Sequence, residues 1–379
     1  MSNATAKHPA IYQLTTVHAI TDNRILNLMA ETASDAGYNS AVVGPWEKNF
    51  PFKDVQMIAH PVTNNRKSKW IRLTAPWRLF WFALCNKKCS IFAIHDPDMV
   101  KIGFLLKLFG KHIVYDIHDD YEASFKTRFA RFGKLFSFII SKLWWYYEKA
   151  LSHFFDGITV ADQHLANKFC WGNPTILGNA PPLNFTKIAN TEKEKTFNII
   201  YVGSVTKVRG VEVILQAVRL LKYDDIRVIV IGNCSDNDIL TQMDSDDRVC
   251  FKGRVAWENL HKYYQKSHIG IALYQNIPAF VYYTGENAVK IQEYIAAGIA
   301  VITSNFPGLT AFVKETKVGF NVQPDDPQAV ADHIEKLYNN RDLLKQFAEN
   351  GRNSFEKTYN WELHKHKLID LYKKIVPID

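Results

Sequence analysis

Cysteine is scarce: five in 379 residues, an odd number with no close pairing pattern. That excludes a disulfide-stapled scaffold and points to reduced thiols in a cytosol-facing protein. Cys85 and Cys89 are four apart, but no Cys or His pair follows at zinc-site spacing, so they read as small apolar helix residues. Long apolar runs are also missing. LFWFALC and FSFII are short and flanked by lysine or arginine, which excludes a membrane span. The first apolar stretch, AIYQLTTVHAI, reads as a strand rather than the apolar core of a secretory signal. Neither G-x-G-x-x-G nor a Walker A loop occurs. No helix-turn-helix, zinc-finger or RRM pattern occurs either, so no nucleic-acid partner is expected. Solenoid repeats and low-complexity segments are absent.

What is present is an ordinary globular balance, 47% hydrophobic and 22% charged, in a chain long enough for two domains with cores of their own. The net charge of +8 is unevenly placed. Residues 1–180 carry 21 basic against 14 acidic side chains, and residues 181–379 carry 25 against 24. The first half therefore faces something anionic.

Strand and helix patterns alternate along both halves. IYQLTTVH, SAVVG, SIFAIHDP, KHIVYDIHDD, GITVAD and PTILGN read as strands, with helices such as RILNLMAETASDAG and KIGFLLKLFG between them. The paired prolines and polar run of NAPPLNFTKIANTEKEK mark a boundary. The pattern then restarts with FNIIYVG, VEVILQAVRLL, IRVIVIG, VCFKG, IGIALYQ, AVKIQEYIAAG and AVITS. The expected class is α/β, with two doubly wound, Rossmann-like domains facing across a cleft. The expected boundaries are 1–180, a linker at 181–195, 196–358, and a last helix over 359–379.

Two segments carry chemistry. In YVGSVTKVRG a glycine turn leads from a strand into a helix, a place where unpaired N–H groups and Arg209 suit a phosphate. In KIQEYIAAGIAV, Lys290 and Glu293 share a helix face. A solvated ion pair would be worth only a few tenths of a kcal/mol. Because both segments follow strands of one sheet, Gly203, Arg209 and Lys290 suit a pyrophosphate and Glu293 a ribose.

The chain resembles retaining GT-B-fold glycosyltransferases of the family 4 type (glycosyl transferases group 1), which use nucleotide-sugar donors. YVGSVTKVRG is similar to the family's phosphate loop, and KIQEYIAAGIAVITS to its Lys-x-x-Glu-Tyr-x-x-x-Gly segment. FPGLTAFVKETKVGF is similar to the small-residue and Gly-Phe pattern that follows. HAITDNRI, AIHDPDMVKIG and VYDIHDDY resemble acceptor-side motifs. The closing YNW resembles the start of a final helix that crosses back onto the first domain.

This resemblance implies roles. Gly203, Ser204, Arg209, Arg254, Val255, Thr284, Gly285, Lys290 and Glu293 would bind the donor, a UDP- or GDP-linked sugar. Arg209 and Lys290 would hold the diphosphate, Glu293 the ribose, and Arg254 and Val255 would lie beside the base. His118 and Glu286 would stand at the reacting sugar, and Asp22, Arg24, His95, Asp96 and Asp119 on the acceptor side. Ser204 stands where the family often has arginine, and Gly285 where many members have a sugar-contacting glutamate. No metal or other cofactor is implied. The Asp96–Asp98 pair falls in the first domain and reads as acceptor contact or strand capping. A GT-B nucleotide-sugar epimerase and a binding-only module would carry the same donor motifs.

The basic half adds a partner. Residues 55–95 hold no acid but contain Arg66, Lys67, Lys69, Arg72, Arg78, Lys87 and Lys88 among Trp70, Trp77 and Trp81. Residues 125–149 place Phe125, Phe129, Phe132, Phe136, Ile139 and Leu143 at helical spacing beside six basic residues. Basic aromatic helices suit an anionic membrane surface, whereas the same stripe packed on a sheet would need no partner. The expectation is a peripheral protein on the cytoplasmic face of the cell membrane, with a lipid-linked glycan acceptor.

Overall fold

A computed structural model describes residues 8–45, 49–60, 69–185 and 196–378. Arg66, Lys67 and most of the expected linker lie outside the described residues, as do the side chains of Lys69, Trp70 and Arg72. The chain divides into two compact units, Met1–Gly178 with Glu362–Asp379, and Asn179–Trp361.

The first unit is built on an eight-stranded sheet: β1 (Ala10–Leu14), β2 (Asn39–Pro45), β3 (Phe50–Phe52), β4 (Val55–His60), β5 (Cys89–Ile94), β6 (His112–Ile117), β7 (Gly157–Val160) and β8 (Thr175–Ile176). The spatial order is β3-β4-β2-β1-β5-β6-β7-β8, parallel except for the β3–β4 hairpin. Strands β1, β5 and β6 are mostly apolar and buried because both faces are covered, as parallel sheets require; Gln13 and Asp116 are the buried polar exceptions. The order reverses between β1 and β5, so the loops after β1, β5 and β6 gather at the carboxyl edge where such sheets bind ligands.

Two expectations are refined here. RILNLMAETASDAG opens as a π-helix, Asn23–Ala30, and turns α-helical only over Glu31–Asp35. The long aromatic stretch forms two helices, Tyr121–Phe129 and Lys134–Ser152, packed on each other and divided at Gly133, whose φ of 101° breaks the helix. The helix Glu362–Ile375 completes this unit. Its Tyr372 is buried and its hydroxyl accepts from Gln13 Nε2 at 3.2 Å.

The second unit has a fully parallel six-stranded sheet: β9 (Phe197–Val202), β10 (Ile226–Ile231), β11 (Val249–Phe251), β12 (Ser267–Ala272), β13 (Ala300–Ser304) and β14 (Gly319–Val322), in the order β11-β10-β9-β12-β13-β14. Its cores lie on both faces of the sheet. One is centred on Val211, Ile214, Val228 and Ile334, the other on Tyr264, Ile291, Tyr294 and Phe355. Here the order reverses between β9 and β12. The segment 203–210 follows β9, so the switch point falls at the glycine turn.

Candidate functional site

The second unit gathers the residues of the two motifs around the end of β9. Gly203 has φ of 132°, and a Cβ there would lie 3.2 Å from Lys290 Nζ, so glycine is what lets the lysine approach the turn. The loop continues through a single 3-10 turn, Lys207–Arg209, to Gly210 at φ of 72°, from which the helix Val211–Leu220 starts. Lys290, on the first turn of the helix Val289–Ala296, is buried. Its Nζ lies 4.0 Å from the Tyr201 ring centre and 5.5 Å from that of Tyr274. The Arg209 guanidinium lies nearby, 4.8 Å from the Phe280 ring centre and 5.6 Å from that of Tyr274.

Lys290 and Glu293 do not form the ion pair that their spacing allows. Among the described residues no carboxylate lies within 4.0 Å of Lys290 Nζ. Glu293 turns the other way, accepting from Trp257 Nε1 at 2.8 Å and from the Tyr264 hydroxyl at 2.6 Å. Burial, then the neighbouring Arg209 charge, holds the Lys290 ammonium well below the usual lysine range. Burial raises the Glu293 carboxyl against the opposing hydrogen bonds from Tyr264 and Trp257. A buried ammonium beside a guanidinium, with the nearby carboxylate already occupied, is a site short of negative charge. Neither Trp257 nor Tyr264 stood out in the sequence. The mixed polar and aromatic stretch WENLHKYY gave no sign that Trp257 and Tyr264 orient a carboxylate.

The remaining donor-side residues take distinct places. Ser204 is exposed, and its carbonyl accepts from the Tyr201 hydroxyl at 2.6 Å. Arg254 is exposed and Val255 half-buried in the turn after β11. Thr284 Oγ1 accepts from the Asn287 amide at 3.3 Å, and Glu286 is half-buried. Gly285 has a steric explanation: a Cβ there would overlap the Phe312 ring, so no glutamate fits at this position.

In the first unit the acceptor-side motifs converge after β1, β5 and β6, but several of their side chains point inward. Arg24 is buried and bonded to both carboxylate oxygens of Asp116, at 2.7 and 2.9 Å, and to the Leu177 carbonyl at 2.9 Å. His95 is fully buried between Gln13 Oε1 at 2.8 Å and Asp116 Oδ2 at 3.2 Å. Asp96 uses Oδ2 to accept from the Thr15 hydroxyl at 2.7 Å and the Thr16 and Val17 amides at 2.6 and 3.2 Å. Arg24, His95 and Asp96, expected on the acceptor side, are buried here and build the loops of this edge. Buried Arg24 needs Asp116 as counter-charge, and Asp96 ties down the turn after β1. Asp116, the centre of this network, was not singled out in the sequence, although an acid inside the apolar strand HIVYDI was the available signal. Arg24 holds its carboxyl well below the usual carboxylate range, against the cost of burial.

The half-exposed part of this group contains His18, Asp22, His118 and Asp119. Asp22 caps the helix Asn23–Ala30, accepting from the Arg24 and Ile25 amides. His118 Nε2 lies 3.2 Å from His18 Nε2. Burial lowers the His18 imidazole, but the Asp22 hydrogen bond and the charges of Asp96, Asp22 and Asp119 outweigh it and raise it to about 9. Ligand atoms of His95, Asp116 and His118 also lie within 4.8 Å of one another. There, however, the Arg24 guanidinium already occupies the cation's place on Asp116.

Residues 184–354 match the family Glycosyl transferases group 1. Over 181 residues the chain is 28% identical to the capsular polysaccharide biosynthesis glycosyltransferase CapM of Staphylococcus aureus, covering 46% of each chain. The chain spans about half the length of the curated relatives it matches. Solved structures extend the fold likeness to nearly the whole chain. Sucrose-phosphate synthase from Thermosynechococcus elongatus superposes with a TM-score of 0.76 at 17% identity, over 97% of this chain and 99% of that one. Anabaena Alr3699/HepE in complex with UDP-glucose does so with 0.70 at 12% identity, over 97% and 100%. The resemblance read from the motifs holds: the chain has the α/β GT-B fold of these glycosyltransferases. Within it, the group 1 segment contains the Gly203 turn, Arg209, Lys290 and Glu293.

Proposed function

We propose that the protein is a retaining glycosyltransferase that transfers a sugar from a nucleoside diphosphate donor to a glycan acceptor. The observation that carries this reading is the buried Lys290 ammonium beside Arg209 at the Gly203 turn. Breaking the sugar–phosphate bond leaves negative charge on the departing diphosphate and positive charge on the sugar ring. Preorganised cations stabilise the former most strongly where water is excluded. Arg209 and Lys290 hold the diphosphate, and the carboxylate of Glu293, fixed by Trp257 and Tyr264, accepts from the ribose hydroxyls. With two cations on the phosphates, the donor site needs no divalent ion. His118 and Glu286 are the candidate groups at the reacting sugar, and with Gly285 closed off by Phe312 the sugar contact falls to Glu286.

The acceptor is a lipid-linked glycan of surface polysaccharide synthesis, a reading supported by the likeness to a capsular polysaccharide enzyme. The protein works at an anionic membrane, supported by the exposed face of the helix Lys134–Ser152. Of the expected stripe, Phe125 and Phe129 pack on Trp144 and Phe136, while Phe132, Phe136, Ile139 and Leu143 remain 46–60% exposed, beside exposed Leu135, Phe138 and Tyr146. No helix among the described residues is long and apolar enough to cross a membrane. Surface association through this face is the corresponding mode.

The test is calorimetric titration with UDP, GDP, ADP and CMP, with and without EDTA, on the wild type and Glu293→Ala. Selective binding of one diphosphate that persists in EDTA, weakened about thirtyfold by the substitution (about 2 kcal/mol), is the expected result. Failure of every nucleotide to bind overturns the reading. Sugar-epimer release without acceptor would identify an epimerase instead.

A further inference from the structure

We propose that the second unit binds a small phosphate monoester at the amino edge of its sheet, through Arg341, Lys345 and Arg352 of the helix Arg341–Lys357 and His268 of β12. These four side chains line one cavity of about 340 Å³. That volume lies at the small end of ligand pockets, which run from about 300 to 1,000 Å³. It is also roughly ten times the space of one water, so it takes an organic group besides the phosphate. Leu344 and Ala348 supply the apolar wall that such a group needs.

The donors of this cavity are held in place by rings and a glycine turn. The Arg341 guanidinium lies 4.4 Å from the Phe197 ring centre and 4.8 Å from that of Tyr338. Among the described residues no carboxylate forms an ion pair with it. His268 stacks on the same Phe197 ring, with 4.7 Å between ring centres and 30° between planes. Its Nδ1 accepts from the Asn198 amide at 3.1 Å, so the neutral ring carries its hydrogen on Nε2 and donates from there. One buried phenylalanine thus orients two donors. Arg352 is set by Gly298, whose φ is 63° and where a Cβ would overlap Arg352 Nε.

Glu349 is the one acid on the cavity wall. Its contact with Lys345, 4.0 Å between two exposed side chains, is a surface pair worth little. Three cations against one carboxylate leave the cavity short of negative charge. A phosphate monoester carries nearly two charges and three terminal oxygens, which matches this set of donors better than a carboxylate does. The cavity is separate from the donor motifs. The helix Val289–Ala296 opens beside Lys290 and ends just before Gly298, so about 12 Å of helix stands between the two. The inference does not depend on the proposed transfer reaction.

Calorimetric titration of the full chain at low salt with ribose 5-phosphate, glycerol 3-phosphate, ribose and inorganic phosphate tests it. At least one ester should bind at one equivalent, tenfold or more tighter than inorganic phosphate, and ribose should not bind. Arg341→Gln and Ala348→Phe should each weaken that binding at least tenfold, the first by removing a cation and the second by filling the cavity. Lys290→Met should leave it unchanged. No ester binding, inorganic phosphate bound as tightly as the esters, binding kept in the folded cavity variants, or binding lost in Lys290→Met overturns the proposal. If a cavity variant fails to fold, as judged by circular dichroism, the wild-type selectivity and the Lys290→Met titration still decide. Nucleoside diphosphate titration of the cavity variants should match the wild type, which separates failure here from failure of the donor-site reading.

Discussion

Lys290 and Glu293 stand one helical turn apart and face different partners, Lys290 the Tyr201 ring and the Gly203 turn, Glu293 the donors of Trp257 and Tyr264. A pair that would be nearly worthless as a surface ion pair becomes two separately buried, separately oriented charges.

Lys290→Met should therefore raise the melting temperature while weakening nucleoside diphosphate binding at least tenfold. Thermal unfolding and calorimetry on one sample check both. A loss of both stability and affinity would mean that the lysine has a structural counter-charge.

The lowered Lys290 value also predicts linked protons. Folding holds this group below its unfolded range, so between the two values the unfolded chain binds more protons, and Lys290's contribution makes stability rise with pH there. A bound diphosphate reverses this by favouring the ammonium. Binding heats measured in buffers of different ionisation enthalpy should show proton uptake, and affinity should fall as pH rises.

Arg24 and Asp116 form the opposite case, a buried pair with both members satisfied. Removing one partner, as in Arg24→Met, should cost roughly 3–5 kcal/mol by leaving the other charge uncompensated. Because the Asp116 carboxyl is held well below its unfolded value, its contribution is complete above that value and is lost as pH falls toward the folded one. Urea unfolding of the wild type across acidic pH should show this loss, and the variant should lack it.

Gly285→Ala should destabilise the second unit by about 1–3 kcal/mol, because its methyl group overlaps Phe312. Gly285→Ala combined with Phe312→Leu should recover part of that loss. Additive losses in urea unfolding would reject the steric explanation.

Replacing Leu135 and Leu143 by glutamate should abolish co-sedimentation with anionic vesicles at low salt and leave the melting temperature within a few degrees, since both side chains are 60% or more exposed. Retained vesicle binding would move the contact surface elsewhere.

Alternation of β-branched runs with helical patterns was enough to read both sheets, because parallel strands buried on two faces are written as continuous apolar segments. The hairpin strand β3, with Pro51 at its centre, carries no such run and was not readable. The Gly203 turn and its two cations were legible because glycine, arginine and lysine at a strand–helix turn have few other uses. Inward and outward were not. Arg24 and Asp22 are two apart in one motif, yet one is buried on a strand acid 92 positions away and the other caps a helix at the surface. Such long-range pairings leave no periodicity behind them.

The helix Glu362–Ile375 gives synthesis a consequence of its own. Gln13 waits for Tyr372, and Tyr38 for the Val376 carbonyl, through the manufacture of the entire second unit. A ribosome therefore releases the second unit with every residue of its core already made, while the first must keep part of its sheet uncovered until the chain returns. The first unit is thus the part most exposed to chaperones and proteases during translation.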